Sequence, residues 1–450
     1  MNRSKIVSKF GGSSMSDLPS MRRSAEIVLS QGSHLVVVSA TSGTTDKLDE
    51  IARLASKGEI EESDKLVFDI KERHYSLLKE ADLSSNSFTQ LESYFTELEL
   101  LVQNIFLLKE LTPKAYDHIL SLGERMSSLI FKEVISEMAP GKKVKLLDAR
   151  SVIKTDSSFG KAHPDVELIN KIIQEKILID DETIYITQGF IGSDEHNHTT
   201  ILGRGGSDYS AALFAEGISA DVLEIWTDVA GVATTDPRIC KNARTIPELT
   251  YFEAGEMAQY GAKILHPATM APAVRKAIPV FVGSSMNSKL PGTWIRTEVT
   301  EKPSVRAITR RTSQVLLTIT TPSMYNASGF MRELFDVFGR HRISVDCVTT
   351  SEISVAVTVD KVTLENQKFL GDLEKVGHIQ IEDGYALVSL IGNELTHKAA
   401  LAKVIFNAID SINIRMMSLG ASQYNFNFLI KDNDSNSVIQ NLHQKLIEEL

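Results

Sequence analysis

Short apolar runs alternate with longer amphipathic segments through residues 1–295, and this alternation constrains the fold more than any other feature. The runs have the length and composition of buried strands: IVSKF (6–10), HLVVVSA (34–40), VKLLD (144–148), TIYITQGFI (183–191), VLEIWTD (222–228) and PVFVG (279–283). Segments of helical length lie between them, at 18–30, 91–111, 116–138 and 208–217. The pattern predicts an α/β fold, with a mostly parallel sheet sandwiched by helices.

After the Pro/Gly turn at 290–292 the predicted strands become shorter and alternate between apolar and polar residues, which predicts a domain boundary near residue 300. The remainder matches itself at an offset of 71 residues, which aligns Phe335 with Phe406 and Ile343 with Ile414. Each copy predicts the order strand, helix, strand, strand, helix, a small α+β unit with one antiparallel sheet. We therefore predict three domains, at 1–298, 312–384 and 385–450.

Composition excludes several classes of protein. The net charge of -10 and the lack of a dense Lys/Arg block argue against a nucleic-acid partner. No apolar run approaches the roughly 18 residues of a membrane span. Two cysteines far apart in sequence, Cys240 and Cys347, make neither a disulfide framework nor a cysteine-based zinc site. We expect a cytoplasmic protein with reduced thiols that binds small molecules.

Three glycine-containing segments are candidates for holding phosphate. Lys9 and the pair Gly11-Gly12 follow the first strand, where backbone N–H groups can approach an anion. The stretch 203–208 precedes an amphipathic segment, and a helix N-terminus also favours an anion. The loop WTDVAGVATTDPR (226–238) carries hydroxyls, carboxylates and an arginine. A plain turn is the alternative for each segment. The P-loop pattern is absent, so a nucleotide must be held in another way.

Together these segments resemble aspartate kinases of the amino-acid kinase family. The motifs that carry the resemblance occur in family order and are KFGGSS (9–14), SAT (39–41), LGERMSS (122–128), QGFIG (188–192), TTILGRGGSDYSAAL (199–213) and GAKILHPAT (261–269). The resemblance implies an amino-acid kinase fold followed by two ACT-like regulatory domains, and in that family the second is usually inserted into the first. It also implies a monofunctional homodimer or homotetramer.

The implied activity is ATP-dependent phosphorylation of the L-aspartate β-carboxylate, the first step towards lysine, threonine and methionine. ATP and Mg²⁺ are the implied cofactors, with no protein ligand predicted for the metal, and L-lysine is the implied feedback inhibitor. The implied catalytic residues are Lys9, Gly11, Gly12 and Asp208. The implied aspartate-binding residues are Ser39, Thr45, Glu124, Phe190, Arg204 and Ser207. The implied ATP-binding residues are Lys9, Gly11, Gly12, Ser13, Thr227, Asp228, Arg238 and Lys263.

The charges suit these roles. Arg204 can grip the α-carboxylate of aspartate in a bidentate fashion, and Glu124 can accept its α-ammonium group. Lys9 would bridge the transferring phosphoryl group and the β-carboxylate, and Lys263 would lie over the nucleotide phosphates.

The resemblance also implies a lysine-binding site in the first regulatory domain. Its residues are Met324, Gly329, Phe330, Met331, Ser344, Val345, Asp346, Ser351 and Glu352. Asp346 and Glu352 could pair with ammonium groups of the ligand, and N–H groups near Gly329 could take its carboxylate.

Two departures from the family pattern leave a rival open. Relatives usually have Pro in place of Ala230 and Tyr in place of Ala233, and that Tyr helps to hold adenine. We therefore expect weaker ATP binding, and one alternative is a lysine-binding sensor with an impaired kinase site. The retained charged residues argue against it, because buried charges are costly to keep without use. A glutamate or uridylate kinase is a further alternative.

Overall fold

The computed structural model describes residues 4–80, 85–261, 267–325, 328–393, 395 and 399–449. The chain divides into two compact units. One comprises Met1–Val232, Pro247–Tyr251 and Leu265–Val299, and the other comprises Ala233–Ile246, Phe252–Ile264 and Thr300–Leu450. Two short segments from within the predicted 1–298 domain thus belong to the second unit. No helix in the described part of the chain is long and apolar enough to cross a membrane.

The first unit is built on an eight-stranded sheet. Its strands are β1 (Ile6–Phe10), β2 (Leu35–Val38), β3 (Lys143–Leu147), β4 (Thr183–Gln188), β7 (Val222–Thr227), β8 (Glu248–Thr250), β9 (Val280–Ser284) and β10 (Thr293–Arg296). Their order is β3-β4-β2-β1-β7-β9-β10-β8, and only the β9–β10 pairing is antiparallel. A small hairpin pairs β5 (Ile191–Ser193) with β6 (Thr199–Ile201). The predicted α/β fold with a mostly parallel sheet is confirmed.

Helices connect and cover these strands: α1 (Leu18–Gln31), α2 (Thr44–Lys57), α3 (Ile60–Glu80), α4 (Ser85–Leu108), α5 (Pro113–Met138), α6 (Val166–Lys176), α7 (Gly206–Gly217) and α9 (Pro267–Arg275). Helix α8 (Tyr251–Gln259) lies in the second unit except for its first residue. Local sequence sets several ends. The Thr112 side chain accepts the Ala115 N–H and Pro113 begins α5, a favourable start because proline lacks the N–H that would be unpaired there. All four residues of β2 are buried, as expected for a strand covered on both faces.

The second unit contains a six-stranded antiparallel sheet. Its strands are β11 (Ala307–Thr320), β12 (Cys347–Thr350), β13 (Ser354–Asp360), β14 (His378–Ile391), β15 (Met416–Leu419) and β16 (Asn425–Lys431), in the order β12-β13-β11-β14-β16-β15. The helices are α10 (Phe330–Arg340), α11 (Gln367–Glu374), α12 (Ala399–Ala408) and α13 (Ser435–His443), and α13 continues into a π-helical turn at Gln444–Glu448. This arrangement confirms the predicted pair of α+β modules.

The two modules share their central strands. The first part of β11, Ala307–Arg311, pairs with Leu387–Ile391 at the end of β14, and that end also pairs with β16. The later part, Gln314–Thr320, pairs with β13. Residues 312–384 therefore lie between two strands of the second module, the reverse of the insertion order that the resemblance implies. Each module has its own buried core, one including Phe338 and the other Phe428.

Candidate active site

The ends of parallel strands and the start of one helix enclose a cavity of 580 Å³ in the first unit. Lys9 lies in β1, Ser39 follows β2, and Phe190 follows β4, so the cavity lies at the carboxyl edge of the sheet, the usual ligand site of such folds. Nine predicted site residues line it: Lys9, Gly12, Ser39, Thr45, Glu124, Phe190, Arg204, Ser207 and Asp208. All six predicted aspartate-binding residues are among them.

Lys9 and Asp208 form an ion pair in this cavity. The Lys9 Nζ lies 2.7 Å from the Asp208 Oδ1, and the two side chains are 12% and 16% exposed. Asp208 is in the first turn of α7, so its carboxylate holds the lysine beside the N-terminus of that helix. A Cβ atom added to Gly11 would lie 3.7 Å from the same Nζ, an ordinary contact distance, so Gly11 lies directly beside the ammonium group. The pair fixes a cation where anionic groups would meet.

Glu124 brings a buried carboxyl group into the cavity from the middle of α5. Its Oε1 accepts the Ala40 N–H at 3.1 Å. Its Oε2 is buried and has no hydrogen-bond partner among the described residues. Burial raises the pKa of this carboxyl to about 8, because the ionised form loses its hydration, and the Ala40 N–H offsets only part of this effect. A cationic ligand group would satisfy the unpaired oxygen.

Arg204 projects from a glycine loop at the start of α7. Gly203 and Gly205 have φ angles of 76° and 73°, the left-handed region that favours glycine, so the sequence Gly-Arg-Gly is what allows this turn. Arg204 is exposed and has no ion-pair or hydrogen-bond partner within the described part of the chain. Its guanidinium is thus available to an anionic ligand.

The wall next to this loop depends on close backbone contact. Phe190 has a φ of 70°, uncommon for a residue with a bulky side chain, and its N–H donates to the Ser210 Oγ at 3.0 Å. A Cβ on Gly189 would lie 2.6 Å from the Ser207 Cβ, too close for any other residue. The Ser39 Oγ donates to the Ser207 Oγ at 3.0 Å. These contacts hold the serine hydroxyls and the Phe190 ring at the cavity wall.

The predicted ATP-binding residues are only partly brought together. The Gly11 N–H donates to the Trp226 carbonyl, next to Thr227 at the end of β7, and the Thr227 Oγ1 donates to the Asp228 Oδ1 at 3.0 Å. Ser13 lies in the short 3-10 turn that follows Gly11. Arg238 belongs to the second unit and pairs with Asp236 at 2.7 Å. Lys263 lies outside the described residues.

Sequence reasoning missed Asp117, which supports the floor of the cavity. Its carboxylate accepts the N–H of Gly160 at 2.9 Å and that of Ile201 at 3.0 Å, and both of these residues line the cavity. Burial raises the pKa of Asp117 to about 6. Asp117 precedes Glu124 by seven residues in α5, so both lie on one helix face. That spacing is the signal that could have identified it.

The predicted effector residues divide into buried and exposed groups. Phe330 belongs to the core of the first module, and Met324, Met331 and Val345 pack against it. Ser344, Ser351 and Glu352 are exposed.

Asp346 is the buried charge of this region. Its Oδ1 lies 2.6 Å from the Arg311 Nη1, an ion pair that the sequence did not predict. Its Oδ2 is buried and lacks a hydrogen-bond partner in the described structure, and burial raises the pKa of the carboxyl to about 6 despite Arg311. Gly329, with a φ of 94°, precedes the first residue of α10. This region thus also contains a buried carboxylate oxygen that a cation could satisfy.

Comparison with known proteins decides the family. The sequence profile of the amino acid kinase family matches residues 4–284, and that of the ACT domain matches 388–446. Lysine-sensitive aspartokinase 3 of Escherichia coli is 41% identical over 457 residues, which cover 98% of this chain and 99% of the relative. The chain belongs to the aspartokinases. Aspartokinase 1 of Arabidopsis thaliana, a chloroplast protein, is 32% identical, with 98% of this chain and 80% of the relative covered.

Solved aspartokinase structures have the same fold. The R-state complex of E. coli aspartokinase III with aspartate and ADP has a TM-score of 0.88 at 40% identity, and the alignment covers 98% of this chain and 99% of that one. The T-state complex of the same enzyme with lysine and aspartate has a TM-score of 0.82 at 41% identity, with the same coverage. Similarity to aspartokinases therefore extends over both units of the chain.

Proposed function

We propose that this aspartokinase transfers the γ-phosphoryl group of ATP to the β-carboxylate of L-aspartate and that L-lysine inhibits it. The main support for this proposal is a set of three charged groups in the cavity. Among the described residues, Glu124 has a buried carboxylate oxygen without a partner, Arg204 has an available guanidinium, and Lys9 provides an ammonium group. These three charges complement the ammonium, α-carboxylate and β-carboxylate of aspartate. The E. coli enzyme, similar over its whole length, was crystallised with aspartate and ADP.

Substrate recognition follows from the two charges, on Glu124 and Arg204, that lack partners among the described residues. Glu124 binds the α-ammonium group, which lowers the pKa of this carboxyl and replaces its lost hydration. Arg204 binds the α-carboxylate with paired N–H donors, a geometry that a lysine could not reproduce. An acid without an amino group would leave the Glu124 oxygen unpaired in a buried site, which costs about 1–3 kcal/mol. The cavity therefore selects an amino acid.

The chemical step needs positioning and charge neutralisation rather than a general base. An oxygen of the β-carboxylate, already ionised, attacks the γ-phosphorus, the bond from that phosphorus to the bridging oxygen breaks, and ADP leaves with the electron pair. Lys9 neutralises the oxygens that converge there, and Asp208 orients Lys9 through their ion pair. The N-terminus of α7, in whose first turn Asp208 lies, adds the positive end of the helix dipole at the same place.

We assign nucleotide binding to Gly11, Gly12, Ser13, Thr227, Asp228, Arg238 and Lys263. The glycine backbone suits phosphate oxygens, and the two basic side chains suit their negative charge. Mg²⁺ would supply further neutralisation of the phosphate charge, and no protein ligand is assigned to it.

Regulation by lysine is assigned to the first module of the second unit. The buried Oδ2 of Asp346 can accept a hydrogen bond from one ammonium group of lysine, and the exposed carboxylate of Glu352 can pair with the second ammonium group. The N–H groups that follow Gly329 at the start of α10 suit the carboxylate. Inhibition then requires that lysine bind an inactive state more tightly than an active one. A homodimer or homotetramer and a cytoplasmic location complete the proposal.

An acceptor panel tests this function. Acyl phosphate is trapped with hydroxylamine in the presence of Mg·ATP and aspartate, glutamate or uridylate, with and without lysine, threonine or methionine. We expect turnover with aspartate alone and suppression by lysine alone. Turnover that lysine leaves unchanged would overturn the effector assignment. Lysine binding with no turnover on any acceptor would favour the sensor alternative and overturn the kinase assignment.

A further inference from the structure

Three donor side chains of different chemistry converge inside the second unit. Cys240, His443 and Glu448 each offer one ligand atom, and these atoms all lie within 4.8 Å of one another. The Cys240 Sγ is 3.4 Å from the His443 Nδ1, and the same nitrogen is 2.7 Å from the Glu448 Oε1. Sulfur and carboxylate thus face one ring nitrogen, an arrangement unlike a catalytic triad, in which the two partners of a histidine occupy opposite nitrogens.

A π-helical turn creates this convergence. His443 and Glu448 are five residues apart, a spacing that would place them on different faces of an α-helix. Here the Glu449 N–H donates to the Gln444 carbonyl at 3.0 Å, a bond across five residues that widens the turn and brings both side chains to one side. π-helical turns are rare and occur frequently at functional sites.

Outer contacts hold two of the three donors in place. The His443 Nε2 lies 2.8 Å from the Thr234 Oγ1, which leaves the Nδ1 directed at the cluster. The Asn242 Nδ2 donates to the Glu448 Oε2 at 2.8 Å, which directs the Oε1 there. Such contacts are typical of metal sites, where a second layer of hydrogen bonds orients the ligands.

We propose that Cys240, His443 and Glu448 bind a zinc ion, with water as the fourth ligand. Thiolate, imidazole and carboxylate are the ligand types that Zn²⁺ accepts, and three protein ligands with one open position is a recurrent zinc geometry. Magnesium and calcium are disfavoured, because these ions prefer oxygen ligands. The distance between Cys240 and Cys347 in the sequence argued against a cysteine-based zinc site. The fold instead brings Cys240 close to His443 and Glu448, which are distant from it in sequence.

The distances are close to those of a tetrahedral zinc site. Bond lengths of about 2.0–2.3 Å place neighbouring ligand atoms roughly 3.3–3.8 Å apart. The sulfur–nitrogen distance of 3.4 Å already fits, and the sulfur–oxygen distance is 3.9 Å. The nitrogen–oxygen distance of 2.7 Å must open by roughly 0.6 Å, and the sulfur–oxygen distance must shorten slightly. His443 is fully buried, whereas the Glu448 side chain is 29% exposed, so an ion can approach from that side.

The ion would fasten the segment Ala233–Ile246 to the end of α13. Protein contacts already join them: the Gln440 Nε2 donates to the Ile239 carbonyl at 2.7 Å, and the Arg244 Nη2 donates to the Ile447 carbonyl at 3.0 Å. Arg238, assigned above to the nucleotide, lies in this segment. Zinc would therefore restrict the part of the chain that carries a proposed ATP-binding residue, although the zinc site itself does not depend on that assignment.

Zinc retention by the full-length chain is the test. Metal-free protein is incubated with Zn²⁺, separated from free ion and assayed for bound zinc by mass spectrometry. Cys347→Ser is the matched control, because Cys347 is the other buried free thiol. We expect one zinc per chain in the wild type and in Cys347→Ser, and none in Cys240→Ser. Asn242→Ala should weaken binding about 10–100-fold through the loss of its contact with Glu448.

Cobalt spectroscopy gives a second readout. Co²⁺ in place of Zn²⁺ shows a thiolate-to-metal charge-transfer band only if a cysteine is a ligand, so we expect the band in the wild type and its absence in Cys240→Ser. If Cys240→Ser fails to fold by circular dichroism, Glu448→Gln, at a partly exposed position, must lose zinc in its place. A wild-type chain that retains no zinc would overturn the proposal, and so would equal retention by Cys240→Ser and Cys347→Ser.

Discussion

Replacing Glu124 with glutamine removes one charge from the cavity and leaves the shape of the side chain nearly unchanged. The wild-type carboxylate has two acceptor oxygens, one bonded to the Ala40 N–H at 3.1 Å and the other buried without a partner. Glutamine has a single acceptor oxygen. If that oxygen keeps the Ala40 bond, the side-chain NH₂ faces the ammonium of aspartate, and donor then meets donor.

The magnitude follows from the lost contact. A hydrogen bond to a charged group contributes about 1.5–3 kcal/mol, and each 1.4 kcal/mol is roughly tenfold. We expect kcat/KM for aspartate to fall about 10- to 150-fold in Glu124→Gln, with the KM for ATP unchanged. Initial rates of trapped acyl phosphate, measured against each substrate in turn, give both constants.

The pH dependence adds an independent readout. Burial raises the pKa of Glu124 from 4.5 to about 8, and only its ionised form attracts an ammonium group. The kcat/KM of the wild type for aspartate should therefore rise with pH up to about 8, and Glu124→Gln should lack this rise.

The free energy of unfolding should fall over the pH range in which kcat/KM for aspartate rises. Between pH 4.5 and 8 the folded state binds this proton more tightly than the unfolded state, so the free energy of unfolding falls as pH rises, by a total on the order of 5 kcal/mol. Glu124→Gln should remove this contribution to the slope and be the more stable protein at pH 8 without substrate. A variant with wild-type kcat/KM for aspartate and an unchanged pH profile would refute the assignment of Glu124.

Three further predictions concern the backbone, the effector site and the nucleotide. Gly189→Ala should lower the free energy of unfolding by about 1–3 kcal/mol and raise the KM for aspartate, because the added Cβ would lie 2.6 Å from the Ser207 Cβ. The control is Gly141→Ala, whose added Cβ would have no atom within 4 Å and should change neither quantity in denaturation and rate assays. Asp346→Asn should raise the lysine concentration for half-inhibition at least about tenfold. Inhibition of the wild type by lysine should weaken as pH falls through about 6, because Asp346 becomes protonated. Full inhibition of the variant at the wild-type lysine concentration would contradict the effector assignment. Ala233→Tyr should tighten ATP binding by about 0.5–1.5 kcal/mol in calorimetry. Equal ATP dissociation constants for the variant and the wild type would contradict the hypothesis of a missing adenine contact.

Much of the fold could be predicted because its elements carry local signals. The run at 6–10 and the strand β1 coincide, and the helix predicted at 208–217 differs from α7 by two residues at its start. The length of β11 was not predicted. It begins at Ala307 and continues through the polar residues 309–314, because pairing with β14 rather than local hydrophobicity orders that part.

The candidate site could be predicted only where a residue lies in a recognisable motif. Glu124 and Arg204 lie in such motifs and line the cavity. Asp117 has no motif, and its role depends on two N–H groups distant in sequence, that of Gly160 in a loop and that of Ile201 at the end of β6. The pairing of Arg311 with Asp346 likewise depends on the registers of β11 and β12 with β13, which lies between them, and composition does not encode these registers.

The most direct measurement is the fate of oxygen from the acceptor. Aspartate labelled with ¹⁸O in its β-carboxylate is incubated with the enzyme, Mg·ATP and hydroxylamine, and the released phosphate is examined by ³¹P NMR. If a β-carboxylate oxygen attacks the γ-phosphorus, attack of hydroxylamine on the acyl carbon releases phosphate with one ¹⁸O atom. Phosphate without ¹⁸O would mean that ATP is only hydrolysed, and this result would contradict the proposal that the cavity is the site of aspartate phosphorylation.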